Sequence, residues 1–182
     1  MPDALAFLEL SAISRGYLTL DAMVKRASVE IARAETTSPG RYLIQVSGGV
    51  AEVEEAYWIG KRVAAEALLD ALFLPGPHPS LLARLGGEEG APPGPSAALG
   101  VIECYTSASA VAAADAALKT AEIEIPKIEL GSGLGGKGWF MLYGAQHDLE
   151  AATCAARAAV TEGMLLGSES LHAPHPDLLS QL

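Results

Sequence analysis

The sequence predicts an α+β protein built from two similar domains in tandem, and three observations lead to this fold class. The 182-residue chain repeats itself in order, each repeat alternates short apolar segments with helix-like segments, and a Gly/Pro-dense run separates the repeats. Half of the residues are hydrophobic, yet only 5% are aromatic. This composition suits helices packed closely on a sheet, with cores of Ala, Leu, Val and Ile.

The repeat extends over most of the chain. Residues 4–10 match residues 98–104 at an offset of 94 positions. In the middle of each copy the offset becomes 96, and near the ends it is 97, which pairs the Pro-His-Pro segments at 77–79 and 174–176. Ordered similarity with such small changes of register indicates a duplication.

A linker separates the two copies. Residues 86–96 are dense in glycine and proline and are predicted to hold neither helix nor strand. The predicted first domain covers residues 1–88, the linker 89–96, and the second domain 97–182.

Each copy has the same predicted order of elements. The first copy has strand 4–10, helix 17–27, strand 29–35, strand 41–47, helix 51–66 and a short fourth strand. The second has strand 98–104, helix 108–121, strand 123–130, strand 138–143, helix 147–160 and a fourth strand. In the first helix Leu18, Ala22 and Met23 can share one buried face while Lys25 and Arg26 stay in solvent. A β-α-β-β-α-β order, with both helices on one face of a mainly antiparallel sheet, is ferredoxin-like.

Charge and composition exclude several classes of function. The formal charge is −10, with 12 basic and 22 acidic residues, and no concentrated cationic face for nucleic acid is visible. No apolar stretch approaches the roughly 18 residues needed to span a bilayer. The start Met1-Pro2-Asp3 lacks the pattern of a secretory signal. Two cysteines are too few for a disulfide framework, so a reducing cytoplasm is expected.

Four stretches resemble a known family. Residues 98–103 and 113–119, together with the Pro-His-Pro segments, are similar to the bacterial microcompartment shell proteins in their tandem-domain, trimer-forming version. The resemblance covers residues 4–85 and 97–180 and extends to the propanediol-utilisation type with unpermuted domains. It implies a non-enzymatic homotrimer, a pseudo-hexameric disc that tiles with other hexameric and pentameric shell proteins around encapsulated enzymes. Three chains of two domains give six wedges, which suits a hexagonal disc.

The resemblance also implies residues at the disc edge. Four positions match the family's edge lysine and edge histidine: Lys25, Lys119, His78 and His175. The family often has an arginine shortly before this histidine, but Gly76 and Ala173 stand near that place here. Neither can make the bidentate contacts of a guanidinium, so weaker tiling or a different neighbour is expected. Without the resemblance, the lysines would be solvated helix residues and the histidines turn residues.

In this family the loop between the second and third strands points at the symmetry axis. The corresponding loops are residues 36–40 and 130–136. The residues expected to line a pore are Ser38, Pro39, Gly40, Ser132, Gly133 and Leu134. Serine hydroxyls and glycine backbone amides would form a narrow uncharged ring that favours small polar metabolites. On a purely structural interpretation, Ser38 is a turn residue before proline.

No cofactor or metal is expected. Related tandem proteins place a cysteine in the first loop and hold an iron–sulfur cluster on the axis, but Ser38 occupies that place, and serine is a far poorer ligand. Cys104 and Cys154 are predicted to be small core residues. The run from His172 to His175 has no obvious third metal ligand.

The second loop imitates nucleotide-binding motifs. Residues 131–136 satisfy the G-x-G-x-x-G spacing, and Lys137 follows as in a P-loop. Both motifs need a helix directly after the loop, whereas residues 138–144 read as a strand. Nucleotide binding is therefore not favoured, and Lys137 is expected near the pore mouth or on a disc face.

No catalytic constellation emerges. Glu9 and Glu103 occupy equivalent positions in the first strand of each copy and are predicted to be structural hydrogen-bonding groups rather than an acid–base pair. Two alternatives remain open: a trimeric regulator that binds a small molecule, and an electron conduit if a metal cluster is bound at the pore.

Overall fold

The computed structural model describes residues 2–94, 97–131, 133–179 and 181. Its elements follow the predicted order twice, with one further short helix after each fourth strand and a single 3-10 turn, Ala65–Ala67, before the fourth strand of the first copy. The first copy contains β1 (Ala4–Leu10), α1 (Ile13–Arg26), β2 (Glu30–Thr37), β3 (Arg41–Gly48), α2 (Val50–Ala64), β4 (Leu68–Pro75) and α3 (Pro79–Leu85). The second contains β5 (Ala98–Cys104), α4 (Ser107–Thr120), β6 (Ile123–Leu130), β7 (Gly138–Gly144), α5 (Gln146–Ala159), β8 (Leu165–Leu171) and α6 (Pro176–Leu179).

The first sheet is antiparallel in the order β2-β3-β1-β4. Leu8 of β1 lies opposite Ile44 of β3. Every second residue of β1, from Ala4 to Leu10, packs in one core with Met23 of α1 and Val53 of α2. The residues between them, such as Phe7, are also fully buried. Both faces of β1 are therefore covered, which explains its apolar run from Ala4 to Leu8.

The second sheet repeats this order as β6-β7-β5-β8. Ile102 lies opposite Phe140 of β7, and both are fully buried. Helix α5 packs on β5, β7 and β8 and buries Leu149, Ala152 and Ala156. Both sheets have the strand order of the ferredoxin-like plan, which confirms the predicted α+β class.

Helix α1 differs from the prediction. It begins at Ile13 rather than near residue 17 and includes Gly16. Glycine is needed at this position because a methyl group there would lie 2.7 Å from the Cβ of Tyr42 and still closer to its ring. The buried stripe of the helix is Gly16, Thr19 and Met23. Leu18 was wrongly assigned to this face and is 53% exposed, since it lies beside the stripe rather than on it.

The compact units of the structure do not follow the repeat boundaries. The first unit holds residues up to Pro77, together with Thr106–Ala108 and Leu130–Lys137 from the second copy. The second unit begins at His78, so it includes α3 of the first copy. Each unit therefore combines segments of both copies.

The linker is free of helix and strand from Gly86 to Gly94, and it belongs to the second unit. Its Gly90 N–H donates to the carbonyl of Pro126 (3.1 Å), and the Tyr143 hydroxyl donates to the carbonyl of Ala91 (3.1 Å). None of the helices within the described residues has the length and hydrophobicity needed to span a bilayer.

Candidate functional site

The two loops that were expected at the pore lie side by side in the first unit. A Cβ added at Gly131 would stand 2.7 Å from Cγ2 of Thr37, and one added at Gly136 would stand 2.8 Å from the carbonyl oxygen of Ser38. Both glycines have positive φ, at +70° and +84°. Only glycine combines this conformation with such a close approach, so the glycines of the second loop are needed where it meets the first.

The tips of both loops reach solvent. Ser38, Pro39 and Gly40 are exposed, with a cis peptide bond between Ser38 and Pro39. In the second loop Gly133 is exposed and Leu134 is half-buried, whereas Ser132 lies outside the described residues. Pore lining by these six residues remains a prediction. The structure adds that the described ones belong to a single unit and that none carries a charge.

An ion pair with a buried carboxylate connects the two loops to β1. Arg41, the first residue after the first loop, donates from Nη1 to Oε1 of Glu9 (2.7 Å) and to the carbonyl of Gly136 in the second loop (3.2 Å). The other carboxylate oxygen of Glu9 accepts the N–H of Ser107 (2.8 Å), at the start of α4. Glu9 is therefore a structural hydrogen-bonding group, as predicted, and one carboxylate is tied to segments from both copies.

A second carboxylate lies next to this ion pair. Asp70 of β4 is paired in register with Glu9 and accepts the hydroxyl hydrogen of Thr106 (2.5 Å). Burial raises the pKa of Glu9, and the negative charge of Asp70 acts in the same direction, although Arg41 and the Ser107 N–H act against them. The protonated form of Glu9 is thus favoured by folding.

The raised pKa of Glu9 predicts a pH-dependent stability. The folded protein binds the Glu9 proton more tightly than the unfolded chain, so this contribution is complete below pH 4.5 and is lost as pH rises through the folded-state pKa. We expect the stability advantage of the wild type over Glu9→Gln to shrink with rising pH. Urea denaturation of both proteins between about pH 4 and pH 8 measures the difference. An advantage that grows with pH would mean that Arg41 outweighs burial.

Two of the four predicted edge residues, His78 and Lys119, meet at one aspartate, Asp115. His78 caps α3, where its Nδ1 accepts the N–H of Ser80 (3.3 Å), while its own N–H donates to Asp115 of α4 (2.8 Å). Lys119 also pairs with Asp115, at 2.6 Å. Asp115 is buried, which makes it the centre of a joint between α3 and α4.

The other two predicted edge residues, Lys25 and His175, have side chains that are open to solvent. Lys25 pairs with Asp21 at 2.7 Å, and both side chains are more than half exposed. His175 accepts the N–H of Asp177 at Nδ1 (3.2 Å), as His78 accepts that of Ser80. The position of all four edge residues on a disc edge remains a prediction.

The loop that imitates a nucleotide-binding motif leads into a strand. Gly131 donates its N–H to the carbonyl of Lys137 (2.9 Å), which closes the loop, and β7 begins at Gly138. The predicted strand is confirmed. No helix N-terminus follows the loop, so it lacks the geometry with which these motifs bind phosphate.

One of the two cysteine predictions is wrong. Cys104 is fully buried at the end of β5, as predicted, whereas Cys154 is exposed. The sheet-facing stripe of α5 contains Ala152 and Ala156, and Cys154 lies halfway between them on the outer side. Among the described residues, no group of three or more His, Cys, Asp or Glu side chains is placed to hold a metal ion.

Sequence reasoning did not identify an aromatic cluster on the first copy. Lys61 lies over the ring of Trp58, which is 58% exposed, and that ring meets Tyr57 edge-on (5.2 Å for each contact). At an offset of 96, Trp58 corresponds to Cys154. A groove of about 500 Å³ is found there, lined by Glu150, Thr153, Cys154, Arg157, Ser170 and His172. An aligned comparison of the two copies would have revealed this difference.

Comparisons with known proteins identify the family of the chain. A family model described as "BMC domain" matches residues 4–77 and 98–174. The chain is 31% identical over 183 residues to "Bacterial microcompartment shell protein PduT" of Citrobacter freundii, and the match covers 100% of this chain and 98% of that protein.

Two solved structures are also similar. One is a microcompartment protein from Desulfitobacterium hafniense DCB, with a TM-score of 0.80, 34% identity and 98% of both chains covered. The other is a fused permuted hexameric shell protein from the RMM microcompartment, with a TM-score of 0.64 over 85% of this chain and 80% of that one; at 18% identity it shows the fold alone. With two matched domains and a full-length relative, this chain belongs to the BMC-domain family and is a bacterial microcompartment shell protein of the PduT type.

Proposed function

We propose that this chain is a non-enzymatic tile of a cytoplasmic microcompartment shell, which works as a homotrimer with a central pore for small polar metabolites. The observation that carries the proposal is the unequal covering of equivalent surfaces on the two copies. If the duplicated chain were complete as a monomer, equivalent surfaces of its two copies would be expected to be covered alike.

The first helices of the two copies show this difference. Tyr17 of α1 is 62% exposed, whereas its counterpart in α4, Val111, is fully buried. The following strands differ in the same way, since Ile31 is 50% exposed and Ile125 is buried. An open apolar face of this kind is typical of a protein–protein interface.

The complementary surfaces differ in the opposite sense. Leu81 of α3 is fully buried, whereas its counterpart Leu178 of α6 is 40% exposed. Glu9 is buried and Glu103 is only half-buried. Each chain therefore offers two different unmatched surfaces, one on each copy. Head-to-tail contacts between such surfaces close into a ring when the rotation fits, and three two-domain chains would complete six positions.

The paired loops fit a small pore. The described residues at their tips are Ser38, Pro39, Gly40, Gly133 and Leu134, and their polar groups are one hydroxyl and backbone amides and carbonyls. Three copies of this pair around an axis would form an uncharged ring of hydrogen-bonding groups. Such a ring favours small polar solutes over bulky or apolar ones.

The same loops favour a trimer without an iron–sulfur cluster. Ser38 offers a hydroxyl where a cluster would need a thiolate. Cys104 is buried in a strand, and Cys154 lies on the outer side of α5. An electron conduit through the axis is therefore not part of the proposed function.

Other hexameric and pentameric shell proteins are the proposed partners at the rim. Lys25, Lys119, His78 and His175 are the proposed edge residues. Lys25 is the more accessible of the two lysines: 73% of its side chain is exposed, compared with 42% for Lys119. Edge contacts through compact ammonium groups, without an arginine fork, would be correspondingly weak.

Solution mass and negative-stain imaging of the same purified sample test the proposal. We expect a mass three times that of the chain and six-lobed discs that associate into sheets. Iron and sulfide analysis of the sample is expected to find neither. A monomer at micromolar concentration, or a trimer that contains iron, would contradict the corresponding part of the proposal.

A further inference from the structure

The chain contains one complete contact between a Pro-His-Pro segment, residues 77–79, and the first helix of a copy, α4. We call such a contact a joint. Within the second unit, the backbone N–H of His78 donates to Oδ1 of Asp115 at 2.8 Å. Oδ2 of the same aspartate pairs with Lys119, so both carboxylate oxygens are used. Leu81 and Leu85 of α3, the helix that His78 caps, are buried as well. A polar contact and buried leucines together hold α3 in place.

The two surfaces that could form a second joint, α1 and the Pro-His-Pro segment 174–176, are both present, but each is open to solvent. On α1, Asp21 and Lys25 form the same i,i+4 pair as Asp115 and Lys119, at nearly the same distance, with the aspartate 53% exposed instead of 5%. The second Pro-His-Pro segment has the same cap, in which the imidazole Nδ1 of His175 accepts an N–H two residues later. Equal local geometry with different exposure indicates two preformed surfaces.

The apolar and charged groups around these halves are also suited to each other. Leu178 follows His175 at the same spacing as Leu81 follows His78, and it is 40% exposed. Leu18 and Val24 leave exposed apolar surface on α1, on either side of Asp21. Helix α1 carries three basic residues and one acidic residue, whereas Asp177 is the one formally charged residue of segment 174–179.

We infer that segment 174–179 of one chain docks on α1 of a second copy of this chain, where the backbone N–H of His175 donates to the carboxylate of Asp21. This inference deepens the proposed homotrimer and rests on it, because it names the contact that joins successive chains. The occupant is a second copy, since the same chain supplies both surfaces and already unites their counterparts once. Burial of Leu178 against α1 would exclude water from the hydrogen bond and strengthen it.

Two substitutions test the contact. Asp21→Ala removes the acceptor, and Leu178→Asp places a charge in the apolar contact. Both side chains are exposed in the single chain, so each variant should fold. We expect each to raise the trimer dissociation constant by about tenfold or more, measured by native mass spectrometry over a dilution series. Glu54→Ala, which removes an exposed carboxylate from α2, is the matched control and should leave the constant unchanged.

Hydrogen exchange on the wild type gives an independent measurement. Amide protection of His175 and of residues 177–179 should be high in the trimer and fall as the sample is diluted below the dissociation constant. If both variants remain trimeric like the wild type and this segment stays unprotected, the inference is wrong while the trimer stands. If the wild type is monomeric at every concentration, the proposed function fails first and the docking contact fails with it.

Discussion

The variant Arg41→Ala is expected to lose about 3 kcal/mol of unfolding free energy at neutral pH, because it leaves the buried Glu9 carboxylate without its cation. The Arg41 side chain is 23% exposed and Glu9 only 1%, so water can replace little of the lost interaction. The variant also loses the hydrogen bond to Gly136, which joins the second loop to the base of the first. Thermal denaturation should show a midpoint lower by about 6–12 °C.

Arg33→Ala is the matched control for Arg41→Ala. Arg33 pairs with Glu35 at 3.6 Å on the partly exposed strand β2, where an ion pair contributes at most about 1 kcal/mol. Both variants are compared at one protein concentration, because assembly raises the apparent stability. The loss in Arg41→Ala should become smaller in acid, where Glu9 is protonated. Equal midpoints for the two variants would show that the buried pair does not stabilise the fold.

The variant Gly16→Ala is expected to destabilise the protein by about 2 kcal/mol, although alanine is the better helix former. The added methyl group would overlap the ring of Tyr42, which is fully buried and in contact with Tyr17 at a centroid distance of 5.0 Å. Either α1 moves away from β3 or the ring leaves its place in the core. Urea denaturation at constant protein concentration measures the loss.

Gly94→Ala is the control for this variant. Gly94 has open space around its Cα, so a methyl group there meets nothing within 4 Å. Its stability should stay within about 0.5 kcal/mol of the wild type. A Gly16→Ala protein as stable as Gly94→Ala would show that α1 can shift outward without cost. The close contact with Tyr42 would then not be the reason for glycine in this helix.

The repeat explains why most of the fold could be predicted from the sequence. Matching segments at nearly constant offsets fixed the number and order of the strands and central helices, and buried apolar runs such as β1 marked the centres of the sheets. The start of α1 was missed because Gly16 resembles a helix boundary, whereas its role is close packing against Tyr42. Helices α3 and α6 were missed because each begins with a proline, a residue that disrupts the interior of a helix but is well tolerated at its first position.

The candidate site was predictable in its parts but not in its connections. Loop composition and the resemblance indicated Ser38, Gly40 and Gly133. The link from Arg41 to Glu9 and Gly136 spans 32 and 95 positions of sequence, and no local pattern records a contact at that separation. Cys154 was misplaced because cysteine is usually buried, and that general preference outweighed its position on the outer side of α5.

The difference between Trp58 and Cys154 has a consequence for assembly. A ring made of six identical domains presents the same outline every sixty degrees, so neighbours cannot distinguish one side from the next. In this chain the first copy carries Trp58 with Lys61 over its ring, whereas the second copy has a groove at the equivalent position, Cys154. A threefold ring of this chain would therefore have two kinds of sector, and a surrounding protein could recognise its orientation at three places instead of six.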